Sequence, residues 1–269
     1  MWAYGCGVVS VGAADSGSWY DIALGVVLAG PLICGTSQVV NDWFDREVDA
    51  INEPDRPIPS GRAPGQTALY IAIVWTFLSL AVAAALGPVV FAAGAFGMAL
   101  AWAYSAPPFR LKANGWYGNS AVGFCYEGLP WITGAAVMSM AIPRIEILAV
   151  ALLYSIGAHG IMVLNDFKAL EGDHKLGVRS IPVQLGPERA ARLACWTMAV
   201  PQVFVVLGLF LLERPLLAAG VAAVLVAQLA CMPRLLADPK ARAPWYNATG
   251  VSLFVTGMMI TAFALRGLP

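Results

Sequence analysis

Two acidic clusters interrupt an otherwise apolar chain. The first is Asn41-Asp42-Trp43-Phe44-Asp45-Arg46-Glu47-Val48-Asp49; the second is Asn165-Asp166 followed by Glu171 and Asp173. Carboxylates beside apolar spans are costly to keep and usually mark a functional site. On a helix at about 100° per residue, Asp42, Asp45 and Asp49 fall within roughly 60° of one another. Three like charges on one stripe repel unless cations neutralise them. Hard divalent ions such as Mg²⁺ take carboxylate oxygens, keep several waters and use substrate phosphates as further ligands. The chemistry expected is therefore Mg²⁺-bridged binding of a diphosphate. Arg56, Arg62, Lys168, Lys175 and Arg179 stand close by in sequence and supply donors to phosphate oxygens as a leaving group gains charge. In the second cluster Asp166 and Asp173 share a helix face, while Glu171 lies about 140° away if the helix continues. Gly172 is expected to end that helix.

Each Asn-Asp pair ends an apolar run, and each is followed 13 or 14 residues after its Asp by Arg-x-Ile-Pro: Arg56-Pro57-Ile58-Pro59 and Arg179-Ser180-Ile181-Pro182. A solvated loop with weak surface ion pairs would explain one such cluster. It does not explain two copies with the same downstream residues. The chain reads as one domain, residues 1–269, built from two helical pseudo-repeats with acidic motifs at 41–49 and 165–173.

The elements that must position these residues are membrane helices. With 59% apolar residues, 12% charged residues and no net charge, the chain is neither an ordinary soluble domain nor a nucleic-acid binder. Residues 63 to 109 contain no charge. As one helix they would extend about 70 Å, against a bilayer core of about 30 Å, so the stretch must fold back, and Gly87-Pro88 is the natural turn. The predicted spans lie near 20–41, 66–86, 89–106, 117–140, 145–165, 189–211, 215–233 and 246–265. A shorter apolar segment, Met1 to Ala14, precedes them and reads as the back half of a first helix. A cleaved signal peptide would need a basic n-region ahead of it. The expected fold class is an all-α, polytopic membrane bundle of nine helices, the first truncated.

Counting that segment as the first span, the loops after spans two, four, six and eight carry 13 of the 16 Lys and Arg, leaving Arg144, Arg214 and Arg266 on the other side. Positive charge collects in short cytoplasmic loops. Both acidic clusters are thus expected on the cytoplasmic face. The five cysteines are scattered singly in apolar runs and read as packing residues. No Gly-rich phosphate loop, nucleophile elbow or dinucleotide fingerprint is present, so covalent and redox catalysis have no sequence support.

The residues quoted so far resemble those of the UbiA-type intramembrane prenyltransferases, whose first motif, Asn-Asp-x-x-Asp-x-x-x-Asp, is met in full by Asn41, Asp42, Asp45 and Asp49. Within that family the sequence is most similar to the chlorophyll and bacteriochlorophyll synthase subgroup. The similarity runs through NDWFDREVDAINEPDRPIPSGR (41–62), YSAPPFRLKANGWYGN (104–119) and NDFKALEGDHKLGVRSIPVQLG (165–186), and CYEGLPW (125–131) favours the bacteriochlorophyll side. The resemblance implies a nine-helix bundle, Mg²⁺ as cofactor, and transfer of a geranylgeranyl or phytyl group from its diphosphate to the ring-D propionate of bacteriochlorophyllide a. It implies catalytic roles for Asp42, Asp45, Asp49, Asp166 and Asp173. Metal ligation would fall to these five and Glu171, and diphosphate binding to Asn41, Arg56, Arg62, Asn165, Lys168, Lys175 and Arg179. The acceptor pocket would draw on Tyr104, Arg110, Lys112, Tyr126, Glu127 and His159. Two departures stand out. Position 169 is Ala, where many relatives complete an Asp-x-x-x-Asp motif, and relatives carry residues ahead of Met1.

Several residues allow two readings. His159, seven residues before Asp166, faces either the cavity and its pigment or a neighbouring helix. Glu127, near the middle of its span, either lines the acceptor pocket or bonds between helices. Gln38 orients a neighbour. Trp43, Phe44, Trp116, Tyr126 and Trp131 are candidate cavity walls, although interfacial aromatics are common in membrane proteins. Within the enzyme class the rivals are chlorophyllide, quinone-precursor and glycerol-phosphate acceptors. An anion transporter would place its charged site at the bilayer midplane between broken helices, whereas most acids here stand at helix ends.

Overall fold

The computed structural model describes residues 1–12, 18–63 and 66–268. Ala13 and Ala14, which close the expected first apolar segment, lie outside them. The long helical elements are α1 (Trp2–Val11), α2 (Trp19–Ile51), α3 (Thr67–Ala85), α4 (Pro88–Ser105), α5 (115–139), α6 (Ile145–Lys175), α7 (Pro187–Leu211), α8 (Pro215–Ala237) and α9 (Pro239–Leu265). No named strand occurs among the described residues. One isolated bridge joins Asn114 to Arg179.

Local sequence accounts for the helix boundaries. Ser18 caps α2 through a reciprocal box: its Oγ accepts from the Asp21 amide, and its own amide donates to Asp21 Oδ2. Asp238 accepts from the Ala241 amide at 3.2 Å, and Pro239 takes the first helical position of α9. The predicted fold-back is present: Gly87 adopts φ 114° between α3 and α4, and Pro88 opens α4. Two helices depart from α geometry in mid-course. α2 carries a π segment at Leu28–Cys34 that contains Pro31, and α5 carries one at Phe124–Gly128. Proline has no amide to complete the α ladder, and π bulges frequently sit at functional sites.

Packing divides the bundle into two bodies of core. One joins α1, α5, α6, α7, α8 and α9, with Trp131, Tyr154, Met198, Leu209, Phe254 and Met258 fully buried. A smaller one joins α2, α3, α4 and α5 through Leu28, Leu32, Leu86 and Val90. Helix α5 belongs to both. Among the described residues seven helices are long and apolar enough to cross a membrane. α1 is shorter, and α5 is not among the seven although it is helical over its whole length, because Glu127, its glycines and its amphipathic aromatics dilute its apolar character. By that measure the eight full spans expected from sequence are seven.

α1 and α5 touch backbone to backbone. A Cβ on Gly7 would meet the Trp131 carbonyl oxygen at 2.1 Å, and one on Gly134 would meet the Tyr4 carbonyl oxygen at 2.2 Å. Trp131 Nε1 donates to Ser10 Oγ at 3.0 Å across the same contact. Trp131 is therefore a core residue of the α1–α5 joint and not a cavity wall. Gly134→Leu should lower the stability of the detergent-solubilised protein by about 1–3 kcal/mol or more, read as a fall in thermal midpoint. Gly208→Ala, where an added Cβ meets nothing within 4 Å, should not. Equal midpoints for both variants would contradict the packing described.

Candidate active site

α2 remains α-helical from Gly35 to Asn52, so Asp42, Asp45 and Asp49 keep the common face that their spacing predicts. The chain then turns back on itself, with the Ser60 amide bonded to the Arg56 carbonyl at 3.0 Å and the Ala63 amide to the Pro57 carbonyl at 2.8 Å. That turn returns Arg56 to the acidic face. Its Nη1 lies 3.2 Å from Asp42 Oδ1 and 2.9 Å from Asp49 Oδ2, and its Nε bonds Glu53. Asp45 has a different set of partners. Its Oδ2 accepts from Asn41 Nδ2 at 2.9 Å and from Lys112 Nζ, and Arg110 stands 4.0 Å from its Oδ1. Lys112 and Asp45 are both largely shielded from solvent. Burial pulls the Lys112 ammonium below its usual range, and the bonded Asp45 carboxylate opposes that shift.

The second cluster is built at the end of α6. A 3₁₀ turn at Phe167–Ala169 follows Asp166, and the helix resumes over Leu170–Leu176. It does not end at Gly172 as the sequence suggested. A glycine inside a helix costs only about 1 kcal/mol relative to alanine, whereas Gly177 takes the left-handed conformation, φ 70°, and the Val178 amide closes on the Asp173 carbonyl at 2.9 Å. Asn119 Nδ2 on α5 donates to Asp166 Oδ2 at 2.8 Å, and Asn247 Nδ2 on α9 donates to Asn165 Oδ1 at 3.1 Å. Glu171 points elsewhere: it is exposed and pairs with Lys240 Nζ at 2.6 Å. Asp166 and Asp173 are within electrostatic reach of each other, and Tyr104 is within reach of Asp45, Asp166 and Asp173. Tyr104 thus marks where the two clusters converge.

The segment from Arg110 to Asn119 holds the convergence in place. Its Lys112 grips the first cluster, and its Asn119 grips the second. Between them the Gly115 amide donates to the Arg179 carbonyl at 2.8 Å, and the Arg179 amide donates to Ala113 at 3.1 Å. Only glycine fits at 115, because a Cβ there would lie 2.6 Å from the Ile181 backbone nitrogen.

A cavity of about 600 Å³ opens beside this convergence, between α2, α4, α5 and α6. Gln38, Asn41, Tyr104, Asn165 and Lys168 line its polar part. Ala29, Gly30, Ile33 and Cys34 from one π segment, and Cys125, Tyr126 and Glu127 from the other, line the rest. The two π segments meet where Cys34 Sγ lies 3.6 Å from Tyr126 Oη. A polar head over a small-residue, mainly apolar chamber suits an amphiphile with a charged end.

Not every expected residue belongs to this site. His159 is turned toward α5, with Nδ1 3.1 Å from Ser120 Oγ and its ring stacked on Trp116. Arg62 bonds within its own turn, to Ser60 Oγ at 3.1 Å and to the Asp55 carbonyl. Lys175 and Arg179 are exposed, and Arg179 contributes its backbone to the Arg110–Asn119 segment. Trp43 lies beneath the Arg46 guanidinium, 4.4 Å from its ring centroid. Sequence reasoning passed over Asn119 and Asn247. Asn119 closes the stretch 104–119 quoted above, and an amide inside an apolar helix was the available signal.

Among the described residues no three His, Cys, Asp or Glu converge tightly enough to hold an ion by themselves. The donor set still fits Mg²⁺. Its oxygens are hard, and Mg²⁺ needs only one or two carboxylates when waters and phosphate oxygens complete the shell.

The profile of the UbiA prenyltransferase family matches residues 1–263. The chain is 59% identical to the bacteriochlorophyll synthase 33 kDa chain of Cereibacter sphaeroides, over 100% of this chain and 89% of that protein. It is 38% identical to the chloroplastic chlorophyll synthase of Oryza sativa, over 95% of this chain and 72% of that one. Among solved structures, a UbiA homolog from Archaeoglobus fulgidus bound to DMAPP and Mg²⁺ shares the fold. Its TM-score is 0.73 at 21% identity, covering 97% of this chain and 95% of the other.

The bond from Asn119 fixes the orientation of the Asp166 carboxylate. A hydrogen bond to a charged group contributes about 1.5–3 kcal/mol, so Asn119→Ala should reduce turnover by about 10- to 100-fold while the thermal midpoint stays within a few degrees of wild type. Turnover at the wild-type rate would remove Asn119 from the site.

Proposed function

The chain belongs to the UbiA prenyltransferase family, and from that premise we propose that it esterifies the ring-D propionate of bacteriochlorophyllide a with a geranylgeranyl or phytyl group, releasing diphosphate. The observation that carries this reading is the end-to-end 59% identity to a bacteriochlorophyll synthase chain, against 38% to a chlorophyll synthase. The complete Asn41-Asp42-x-x-Asp45-x-x-x-Asp49 motif supports the same donor chemistry.

The reaction asks for positioning and charge stabilisation. A carboxylate is already ionised near neutral pH, so the propionate needs no general base. Its oxygen bonds to C1 of the prenyl chain, the C1–O bond to diphosphate breaks, and the electron pair leaves with the diphosphate. Asp42, Asp45, Asp49, Asp166 and Asp173 are the residues that would hold Mg²⁺. When bound, Mg²⁺ supplies Lewis-acid neutralisation of the leaving diphosphate. Lys168, at the cavity's polar part, and Arg56 and Lys112, already among the carboxylates, are placed to donate to diphosphate oxygens. The cavity walls keep water from the allylic carbon while C1 is electron-poor, which favours the ester over hydrolysis.

The asymmetry of Lys and Arg among the loops supports a site on the cytoplasmic side of a bacterial inner membrane, open to water-soluble diphosphate and to acceptor arriving from the bilayer. Membranes containing the protein, given geranylgeranyl diphosphate, Mg²⁺ and bacteriochlorophyllide a, should yield the esterified pigment by chromatography. Asp42→Ala, inserted at normal levels, should lower the rate by at least about 100-fold. Absence of ester from the wild-type membranes would overturn the assignment, and an unimpaired Asp42→Ala would overturn the metal-site reading.

A further inference from the structure

Glu127 is a charged residue type that the chemistry above does not use. It lies in the π segment Phe124–Gly128 and lines the cavity, and its Oε2 is buried with no hydrogen-bond partner. No Lys, Arg or His makes an ion pair with it among the described residues. A buried polar atom left unpaired costs free energy that a bound partner recovers. The position is also specific. Glu127 stands eight residues along α5 from Asn119, which holds Asp166, and at 1.5 Å per residue that is about 12 Å inside the level of the carboxylates. The cavity lining includes the small residues Gly97, Gly123, Cys125, Ala158 and Pro130, and the Met1 amino group is within electrostatic reach of Glu127 without forming an ion pair with it.

We infer that Glu127 selects the acceptor by donating a hydrogen bond to a carbonyl on the tetrapyrrole rim remote from the reacting propionate, the acetyl group that bacteriochlorophyllide a carries and its 3-vinyl counterpart lacks. This rests on the reading of the site as that of a transferase that forms the prenyl ester of bacteriochlorophyllide. Donation follows from the surroundings, since an unpaired carboxyl among apolar groups is cheapest as the neutral acid, which carries one hydroxyl donor. The pattern has a general precedent: a site built to hydrogen-bond a substrate group discriminates strongly against an analogue lacking it, far more than an apolar pocket discriminates against a hydroxyl.

The test compares wild type, Glu127→Gln and Glu127→Leu in membranes, with geranylgeranyl diphosphate and two acceptors, bacteriochlorophyllide a and its 3-vinyl counterpart. Gln retains a donor of nearly the same reach. Wild type and Glu127→Gln should prefer the acetyl acceptor, and Glu127→Leu should lose about 10- to 100-fold in kcat/KM for it. For the vinyl acceptor Glu127→Leu should match or exceed wild type, and the KM for the donor should not move in any variant. An equal loss on both acceptors, or no loss on the acetyl acceptor, would overturn the inference and leave the esterification reading intact. No ester from either acceptor with the wild-type protein would overturn that reading and this inference together.

Discussion

Negative charge at the carboxyl end of a helix is unfavourable twice, because the carboxylates repel one another and the exposed carbonyls add about half a negative charge of their own. α2 sets Asp42, Asp45 and Asp49 on one face, with Asp49 in its last turn. The rest of the site is arranged around relieving that cost. Arg56 folds back to bridge Asp42 and Asp49, and Lys112 reaches Asp45 from a different part of the chain. The second contact has the wider consequence. Lys112 belongs to the same short segment whose backbone pairs with Arg179 and whose Asn119 holds Asp166. Neutralising the first cluster therefore fixes the distance to the second.

The same economy shapes the chamber. π segments in α2 and α5 widen the helices where they face each other, and small residues at Gly30, Gly97 and Ala158 line the space. Further along α5, Gly134 and Trp131 do the reverse, packing tightly on α1. One helix thus serves as a substrate wall along one stretch and as a fixed wall along the next. Glu127 lines the open stretch and Asn119 bonds across to α6, and these polar residues lower the apolar character of α5 relative to the other helices.

Much of this was legible in the sequence, and the rest was not for identifiable reasons. The shared face of Asp42, Asp45 and Asp49 depends only on helical periodicity, and the Gly87-Pro88 turn only on local backbone rules, so both were readable. The end of α6 was misread because two glycines, Gly172 and Gly177, offered the same signal, and only the Val178 bond to Asp173 decides between them. From sequence His159 allows both a cavity and a helix-packing reading, and Trp131 is a candidate cavity wall. Their orientation is set by Ser120 and Trp116 in one case and by Ser10 in the other, partners tens of residues away that no spacing rule reveals. Glu171 was grouped with the second cluster by proximity in sequence and is drawn off by Lys240 on α9.

The central claim is that the two acidic clusters, bridged by the segment from Arg110 to Asn119, act as one diphosphate site. A double-mutant cycle tests it most directly. It would measure Mg²⁺-dependent binding of an unreactive geranylgeranyl thiolodiphosphate to wild type, Asp45→Asn, Asp166→Asn and the double variant. One shared site predicts that each single change costs most of the affinity and that the double variant is within a few-fold of the weaker single, a coupling of about 1–3 kcal/mol. Losses that simply multiply would mean two independent sites and would contradict the account.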